Sequence, residues 1–185
     1  MKTKFLFPAL LICILGCALS AAAQTKQPKT VRDFFMLLPA KYFSLDCCMD
    51  KNYRRGKEKY LKQYLIVEDA ANGFMSGGGD GAQEGFEMAL FKRGDGSYLI
   101  GFYTEGEGGP EDVPWCVFLD YKNGKWTDVS RAVVPNYDAV KRIYQLPRRG
   151  TTIEVFQKDE NGEGFYRGKK LYDLIWQNGK FTVSR

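Results

Sequence analysis

From Tyr64 onward, short apolar runs alternate with turn-forming pairs. Asn-Gly or Asp-Gly pairs begin at positions 72, 95, 123, 161 and 178, each beside an apolar run. Such pairs favour the positive φ angles that tight hairpin turns require. The pattern therefore predicts an antiparallel meander whose strands are Tyr64–Glu68, Gly73–Ser76, Phe86–Lys92, Ser97–Thr104, Trp115–Tyr121, Lys125–Val129, Thr152–Gln157, Lys170–Gln177 and Lys180–Val183.

Ahead of the strands, the apolar positions follow a helical period. Thr30 is predicted to cap a short helix together with Asp33, and Pro39 to end it. A second helix is predicted within Lys57–Leu65, and a third, between two prolines, over Asp138–Gln145. The sequence thus predicts an α+β fold, in which short N-terminal helices pack on a twisted antiparallel β-meander built from successive hairpins. Residues 30–185 are predicted to form its single domain.

Residues 1–23 have the pattern of a secretory signal peptide. Two lysines precede an apolar run, Phe5–Leu15, and small residues at Ser20–Ala23 lead into a polar segment. The run is short for a membrane span, although an uncleaved signal acting as an anchor is an alternative. We expect export to the periplasm or the medium, with residues 24–29 as a flexible leader.

A second export route is open at Cys17. Ile14-Leu15-Gly16-Cys17 resembles a bacterial lipobox, in which the cysteine becomes lipidated. This route would make the protein a lipid-anchored envelope component, held at a membrane without a spanning helix. The Ala-rich exit competes with it for processing.

Composition excludes several classes of function. The chain has no histidine, which rules out Ser-His and Cys-His nucleophile pairs and imidazole-ligated zinc or haem. Without residues 1–23 it keeps 25 basic and 22 acidic residues, a balance that does not predict nucleic-acid binding.

Three cysteines follow the signal: Cys47, Cys48 and Cys116. A disulfide from Cys47 or Cys48 to Cys116 would close a loop of nearly 70 residues, in keeping with an oxidising compartment. The alternative is that Cys116 is a buried small apolar residue.

Acidic side chains beside glycine-rich loops are candidate ligand contacts. Gly77–Gly81 would let a backbone approach a ligand closely, or act as a flexible connection. Asp80, Glu84 and Glu87 could supply oxygens to calcium or a carboxylate pair for glycoside chemistry, although neither spacing signature is present. We expect no cofactor; calcium is the one ion that the acidic loops suggest.

Aromatic residues are the other candidate binding groups. Trp115, Trp126 and Trp176 could present a flat surface to sugars or peptides, or fill the interior. The segments 121–131 and 176–185 resemble each other, each with aromatics on both sides of an Asn-Gly-Lys turn. This placement predicts cross-strand aromatic pairs and suggests either duplication or convergent hairpin chemistry.

The segment Asp33–Phe43 resembles the opening of a family of small exported bacterial proteins, known as a domain of unknown function. In that family a hydrophobic Leu-Pro helix is followed by a basic stretch and aromatic strands, as at Arg54–Tyr64 and Phe86–Tyr103 here. The resemblance implies an exported protein and carries over no site residues.

Three functions fit the sequence. The first is a non-catalytic binding or interaction module whose partner is an envelope protein or glycan. The second is a carbohydrate-binding module, or a carbohydrate-directed hydrolase that uses acidic loops and aromatics. The third is a lipid-anchored envelope component, with the membrane contacted only through the lipid.

Overall fold

The computed structural model describes residues 27–45, 50–79, 85–105, 116–161 and 164–184. The predicted signal and its Cys17 lie outside the described residues, as do Cys47, Cys48, Asp80, Glu84 and Trp115. Among the helices that the described ranges contain, none combines the length and apolar character needed to cross a bilayer.

Three short helices and ten strands form the fold within these described ranges. The helices are α1 (Val31–Leu37), α2 (Tyr53–Tyr64) and α3 (Ser130–Val133). The strands are β1 (Leu65–Asp69), β2 (Phe74–Gly77), β3 (Gly85–Lys92), β4 (Tyr98–Glu105), β5 (Cys116–Lys122), β6 (Lys125–Asp128), β7 (Arg142–Gln145), β8 (Thr152–Asn161), β9 (Gly164–Gln177) and β10 (Lys180–Ser184).

The strands form two consecutive antiparallel meanders. Sheet A has the order β1-β2-β3-β4-β5-β6, and sheet B has the order β10-β9-β8-β7. The predicted α+β meander is therefore confirmed, and the chain divides it between β6 and β7. The helix α3 and the segment after it carry the chain from one sheet to the other.

Sheet A lies between two apolar layers. One layer, here called the helix-side cluster, joins α1 and α2 to one face of the sheet and includes Phe35, Met88 and Leu119. The other, the inter-sheet cluster, joins the opposite face to sheet B and includes Phe118, Tyr144 and Leu174. Since neighbouring residues of a strand point to opposite faces, a strand covered on both sides is apolar throughout. In β5, all four residues from Cys116 to Leu119 are buried.

The first N-terminal helix begins where the sequence predicts, and the second begins earlier. The Thr30 side chain accepts a hydrogen bond from the Asp33 amide at 3.1 Å, and Asp33 Oδ2 accepts one from the Thr30 amide at 3.0 Å. This reciprocal capping box is confirmed. The second helix starts earlier than predicted, because the Asn52 side chain caps it by accepting from the Arg55 amide at 3.1 Å.

The predicted helix over Asp138–Gln145 is wrong. Arg142–Gln145 forms β7, which pairs with β8 in the register Tyr144↔Val155. Tyr144 is 1% exposed in the inter-sheet cluster, whereas Val140, which a helix would have placed on the apolar face, is 72% exposed. The local pattern of these four residues does not distinguish a helix from a strand. Pairing with β8 at the edge of sheet B makes them a strand.

A glycine in the middle of β4 allows the two sheets to approach. An added Cβ at Gly101 would lie 2.9 Å from Leu146 Cδ2 and 3.2 Å from a ring carbon of Phe91. Leu146, which follows β7, is 3% exposed. The missing side chain at position 101 therefore makes room for sheet B to pack on sheet A.

Candidate functional site

Three hairpin turns meet at one end of the molecule. The turn Arg93–Ser97 joins β3 to β4, Asn123-Gly124 joins β5 to β6, and Asn178-Gly179 joins β9 to β10. In both Asn-Gly turns the asparagine has a φ of 52°, and the following glycines have φ of 77° and 80°. These angles belong to type I′ turns, which confirms the turn chemistry expected of the two pairs.

A well-formed cavity lies at this end. We call it the hairpin-end groove; its volume is about 820 Å³. It runs between the β3–β4 turn, the β5–β6 turn and the last leader residues. Its lining consists of Gln27, Pro28, Lys29, Phe34, Lys92, Arg93, Asp95, Gly96, Ser97, Tyr98, Asp120, Tyr121, Lys122 and Asn123.

Aromatic rings form one wall of the groove. Tyr98 on β4 and Tyr121 on β5 flank the paired residues Leu99 and Asp120, so they lie on adjacent strands. Phe34 of α1 contacts both rings edge-on, with centroids 5.9 and 6.1 Å away. It also contacts Trp126 at 6.3 Å. Because the buried Phe34 packs edge-on against both rings and also lines the groove, the groove presents a pre-formed aromatic surface.

The two carboxylates that line the groove have local partners. Arg93 donates to Asp120 Oδ1 at 2.5 Å and to the carbonyl of Tyr98 at 3.3 Å. Asp95 Oδ1 accepts from the Ser97 hydroxyl at 2.6 Å and from its amide at 2.9 Å. Those hydrogen bonds lower the pKa of Asp95 and keep it ionised.

The lysines that line the groove, unlike its carboxylates, have no ion-pair partner among the described residues. Lys29, Lys92 and Lys122 are exposed, and no described side chain forms an ion pair with them. With Arg93 they make four cations against two carboxylates. The groove therefore carries a positive charge that its own side chains do not neutralise.

A smaller groove lies on the other side of the β3–β4 turn. It has a volume of about 500 Å³ and is lined by residues 92–95 together with residues 176–179. The Trp176 indole closes its inner end by donating to the carbonyl of Lys92 at 2.9 Å. The two Asn-Gly hairpins thus flank the same turn.

The described tryptophans lie on opposite faces of sheet A and do not share a surface. Trp126 packs on the helix-side cluster and donates to the carbonyl of Leu37 at 3.1 Å. Trp176 packs on the inter-sheet cluster. Both form the predicted cross-strand pairs, Tyr121–Trp126 at 5.0 Å and Trp176–Phe181 at 4.9 Å. Trp115 is outside the described residues.

Glu87 lies away from the groove, in a cleft of about 520 Å³ that sheet B also lines. The Lys170 ammonium stands between two carboxylates of this cleft, 2.6 Å from Glu154 and 2.9 Å from Asp173. Their hydrogen bonds raise the pKa of Lys170. Asp80 and Glu84 fall outside the described residues, and within those residues no three Cys, Asp or Glu side chains gather as a metal ion requires.

Cys116 is a free thiol, 1% exposed, in the inter-sheet cluster. Burial raises its pKa well above the usual value, which makes it a poor nucleophile. A buried thiol in an apolar cluster fits the alternative of a small apolar core residue, and Cys47 and Cys48 lie outside the described residues.

Comparison of the chain with models of protein families, with curated proteins and with solved structures finds no match. The resemblance of the segment Asp33–Phe43 to an exported family stays an expectation, and the site must be judged from its own geometry.

Sequence reasoning missed most of the groove. Among its lining residues, the sequence pattern indicates Asp95, Gly96 and Asn123 as turn residues and Tyr121 as half of a cross-strand aromatic pair, and it indicates none of them as a binding residue. The available signal was the tyrosine beside each of two turns, Tyr98 after Asp95-Gly96 and Tyr121 before Asn123-Gly124. Only the pairing of β4 with β5 brings the two tyrosines together.

Proposed function

We propose that the chain is an exported, non-catalytic binding module of the bacterial cell envelope, and that its ligand occupies the hairpin-end groove. The observation that carries this proposal is the groove itself. Its volume of about 820 Å³ falls in the range of ligand sites, and it combines ring surface with a few polar groups. Turns on a rigid sheet are common positions for binding residues.

The chemistry of the groove supports binding over catalysis. The chain has no histidine, and the two carboxylates that line the groove are held by Arg93 and Ser97. A general acid–base pair needs a group free to exchange a proton near the working pH. We therefore expect the ligand to be held and released unchanged, without a cofactor.

The binding proposal is tested with amide proton–nitrogen NMR spectra of the purified protein. The probes are maltohexaose, chitohexaose, hexagalacturonate, hexaglutamate and hexalysine, each with and without calcium. We expect at least one probe to shift amides of the Arg93–Ser97 and Tyr121–Asn123 segments. If no probe shifts these amides, the groove is not the site. If mass spectrometry finds a probe cleaved, the non-catalytic assignment is wrong.

Export is tested by expressing the full chain with a C-terminal tag in a Gram-negative host and weighing the recovered protein. We expect the tagged protein outside the cytosol with residues 1–23 removed. A full-length mass would overturn this expectation.

The lipid-anchored alternative predicts a mass increased by a lipid on Cys17, and release of the Cys17→Ser variant from membranes. Identical fractionation of this variant and the parent would exclude it.

A carbohydrate ligand is the second candidate, and the tyrosine wall of the groove is the observation that favours it. Sugar rings present apolar faces that pack against aromatic side chains, while their hydroxyl groups bond polar neighbours. Tyr98, Tyr121 and Asn123 offer both kinds of contact in one groove.

A further inference from the structure

We propose that the ligand of the hairpin-end groove is an acidic saccharide. Its sugar rings would pack on Tyr98 and Tyr121, and its carboxylate or sulfate groups would pair with Lys29, Lys92 and Lys122. This inference rests on the binding function proposed above, and it specifies the chemistry of the ligand.

Charge is the first argument. Asp120 is neutralised by Arg93 at 2.5 Å, and Asp95 is committed to Ser97. The three lysines have no described ion-pair partner, so an anionic ligand would meet cations that are already exposed and would displace no existing pair.

The placement of the lysines is the second argument. Lys29 comes from the leader, Lys92 from the end of β3 and Lys122 from the end of β5. Three separate chain segments thus bring a positive charge to one groove. A ligand with several anionic groups could pair with more than one of them, and each pairing would add to the affinity.

The tyrosine rings are the third argument. Tyr98 and Tyr121 are partly exposed, and neither hydroxyl bonds a described residue. Phe34 holds both rings in place from the helix side. The pair therefore offers flat apolar surface edged with free hydroxyl groups, which suits a sugar ring and its hydroxyls.

The strands beside the groove argue against an acidic peptide. Extended peptides commonly add to a sheet through an unpaired strand edge. Here β4 and β5 are interior strands of sheet A, each paired on both sides. A peptide therefore cannot add to the sheet by main-chain hydrogen bonds along this wall, whereas a saccharide binds without such hydrogen bonds.

The test is calorimetric titration of the full chain with hexagalacturonate and with a heparin-derived hexasaccharide. Maltohexaose serves as the neutral saccharide and hexaglutamate as the acidic peptide. We expect at least one acidic saccharide to bind and maltohexaose to bind more weakly. We also expect the affinity to fall as salt rises to about 0.5 M, because exposed charges are screened.

Two lysines of one hairpin provide a matched pair of variants. Lys122 lines the groove and Lys125 does not, although both are exposed and they face each other across β5 and β6. We expect Lys122→Gln to weaken acidic-saccharide binding about twofold to fivefold, as the loss of one exposed charge pair predicts. Lys125→Gln makes the same change in net charge beside the groove, and because Lys125 does not line it, this variant should weaken binding less than Lys122→Gln does.

A second pair of variants tests the ring. Tyr98→Leu should weaken binding about twofold to tenfold, whereas Tyr98→Phe, which keeps the ring, should retain most of the affinity. The NMR spectrum of each variant shows whether the fold is kept. Equal loss in both variants would remove the stacking contact from the proposal.

Several outcomes overturn the inference. Equal weakening by Lys122→Gln and Lys125→Gln would mean attraction by net charge alone. Maltohexaose binding as tightly as the acidic saccharides would remove the anionic requirement. Hexaglutamate binding more tightly in the groove would make the ligand a peptide and leave the binding function standing. Groove amides that respond to no probe of any class would overturn both proposals.

Discussion

The two apolar layers on either side of sheet A differ in whether they bury a charged side chain. The helix-side cluster is rich in rings, with Phe35 in contact with Phe43 at 5.5 Å and Phe86 at 4.4 Å. It also holds the one charged side chain that is buried in the described residues, Lys57 at 1% exposure. The inter-sheet cluster joins two sheets and buries no charged side chain among the described residues.

Helix ends explain this difference. The last carbonyls of a helix have no partner within it, and α1 is only seven residues long. The Lys57 ammonium, reaching from α2, donates to the carbonyls of Phe35 at 2.9 Å, Met36 at 2.7 Å and Leu38 at 2.9 Å. In the inter-sheet layer most backbone groups are satisfied by strand pairing, and the buried Ser130 hydroxyl of α3 accepts from the Phe118 amide at 2.8 Å, so that layer holds a neutral polar group instead of a charge. The buried ammonium therefore caps the end of α1 inside the helix-side layer.

Replacing one buried phenylalanine of either layer by alanine should have the largest effect on stability. Phe35 and Phe118 are both 0% exposed, one on each side of sheet A. We expect Phe35→Ala and Phe118→Ala each to lower the free energy of unfolding by about 3–5 kcal/mol, measured by urea denaturation. Hydrogen exchange distinguishes the layers, because Phe35→Ala should deprotect amides of α2 first and Phe118→Ala those of sheet B. The same deprotection pattern in both variants would contradict two separate layers.

Removing the buried charge should have the next largest effect. Lys57→Met keeps the apolar stem but removes one donor from each of three carbonyls, of which the Phe35 carbonyl still accepts from the Leu38 amide at 3.1 Å. We expect a loss of about 2–4 kcal/mol in denaturant unfolding. Lys62→Met, at an exposed position of the same helix, is the control and should change stability by less than about 0.5 kcal/mol. Similar stability in the two variants would show that Lys57 does not stabilise the C-terminal end of α1.

Adding a methyl group at Gly101, where the two sheets approach each other, should lower the free energy of unfolding by less than the loss of Lys57 does. Gly101→Ala places a Cβ 2.9 Å from Leu146 Cδ2, and we expect a loss of about 1–3 kcal/mol in thermal or urea unfolding. Gly94→Ala has open space and serves as the control. A Leu146→Val background should reduce the penalty at position 101. An unchanged penalty there would mean that Leu146 is not the obstacle.

The smallest expected effect is a pH dependence confined to the helix-side layer. Burial and repulsion from Arg54 lower the pKa of Lys57 from 10.5 to about 8. Between those values the unfolded chain binds more protons than the folded protein, so stability rises with pH. From pH 8 to about pH 9, below the range in which tyrosines ionise, we expect a gain of about 1 kcal/mol that Lys57→Met lacks. Parallel pH profiles for the two proteins would contradict the assignment.

Local chemistry accounts for what could be predicted. The Thr30–Asp33 capping box depends on residues three positions apart, and the type I′ turns depend on an asparagine and a glycine in sequence. The ring pairs beside these turns follow from the short hairpin register. Lys57 was not foreseen, because its partners lie 19–22 residues away in another helix.

By itself, the sequence determined the alternation of strands and turns, the first helix and the α+β class, since each follows from backbone angles and side-chain periodicity over a few residues. Tertiary structure alone decided the division into two sheets, the strand character of Arg142–Gln145 and the buried position of Lys57. It also brought Lys29, Lys92 and Lys122 around one groove. Such features depend on which distant segments pair and which faces they cover. No short stretch of the chain determines these long-range contacts.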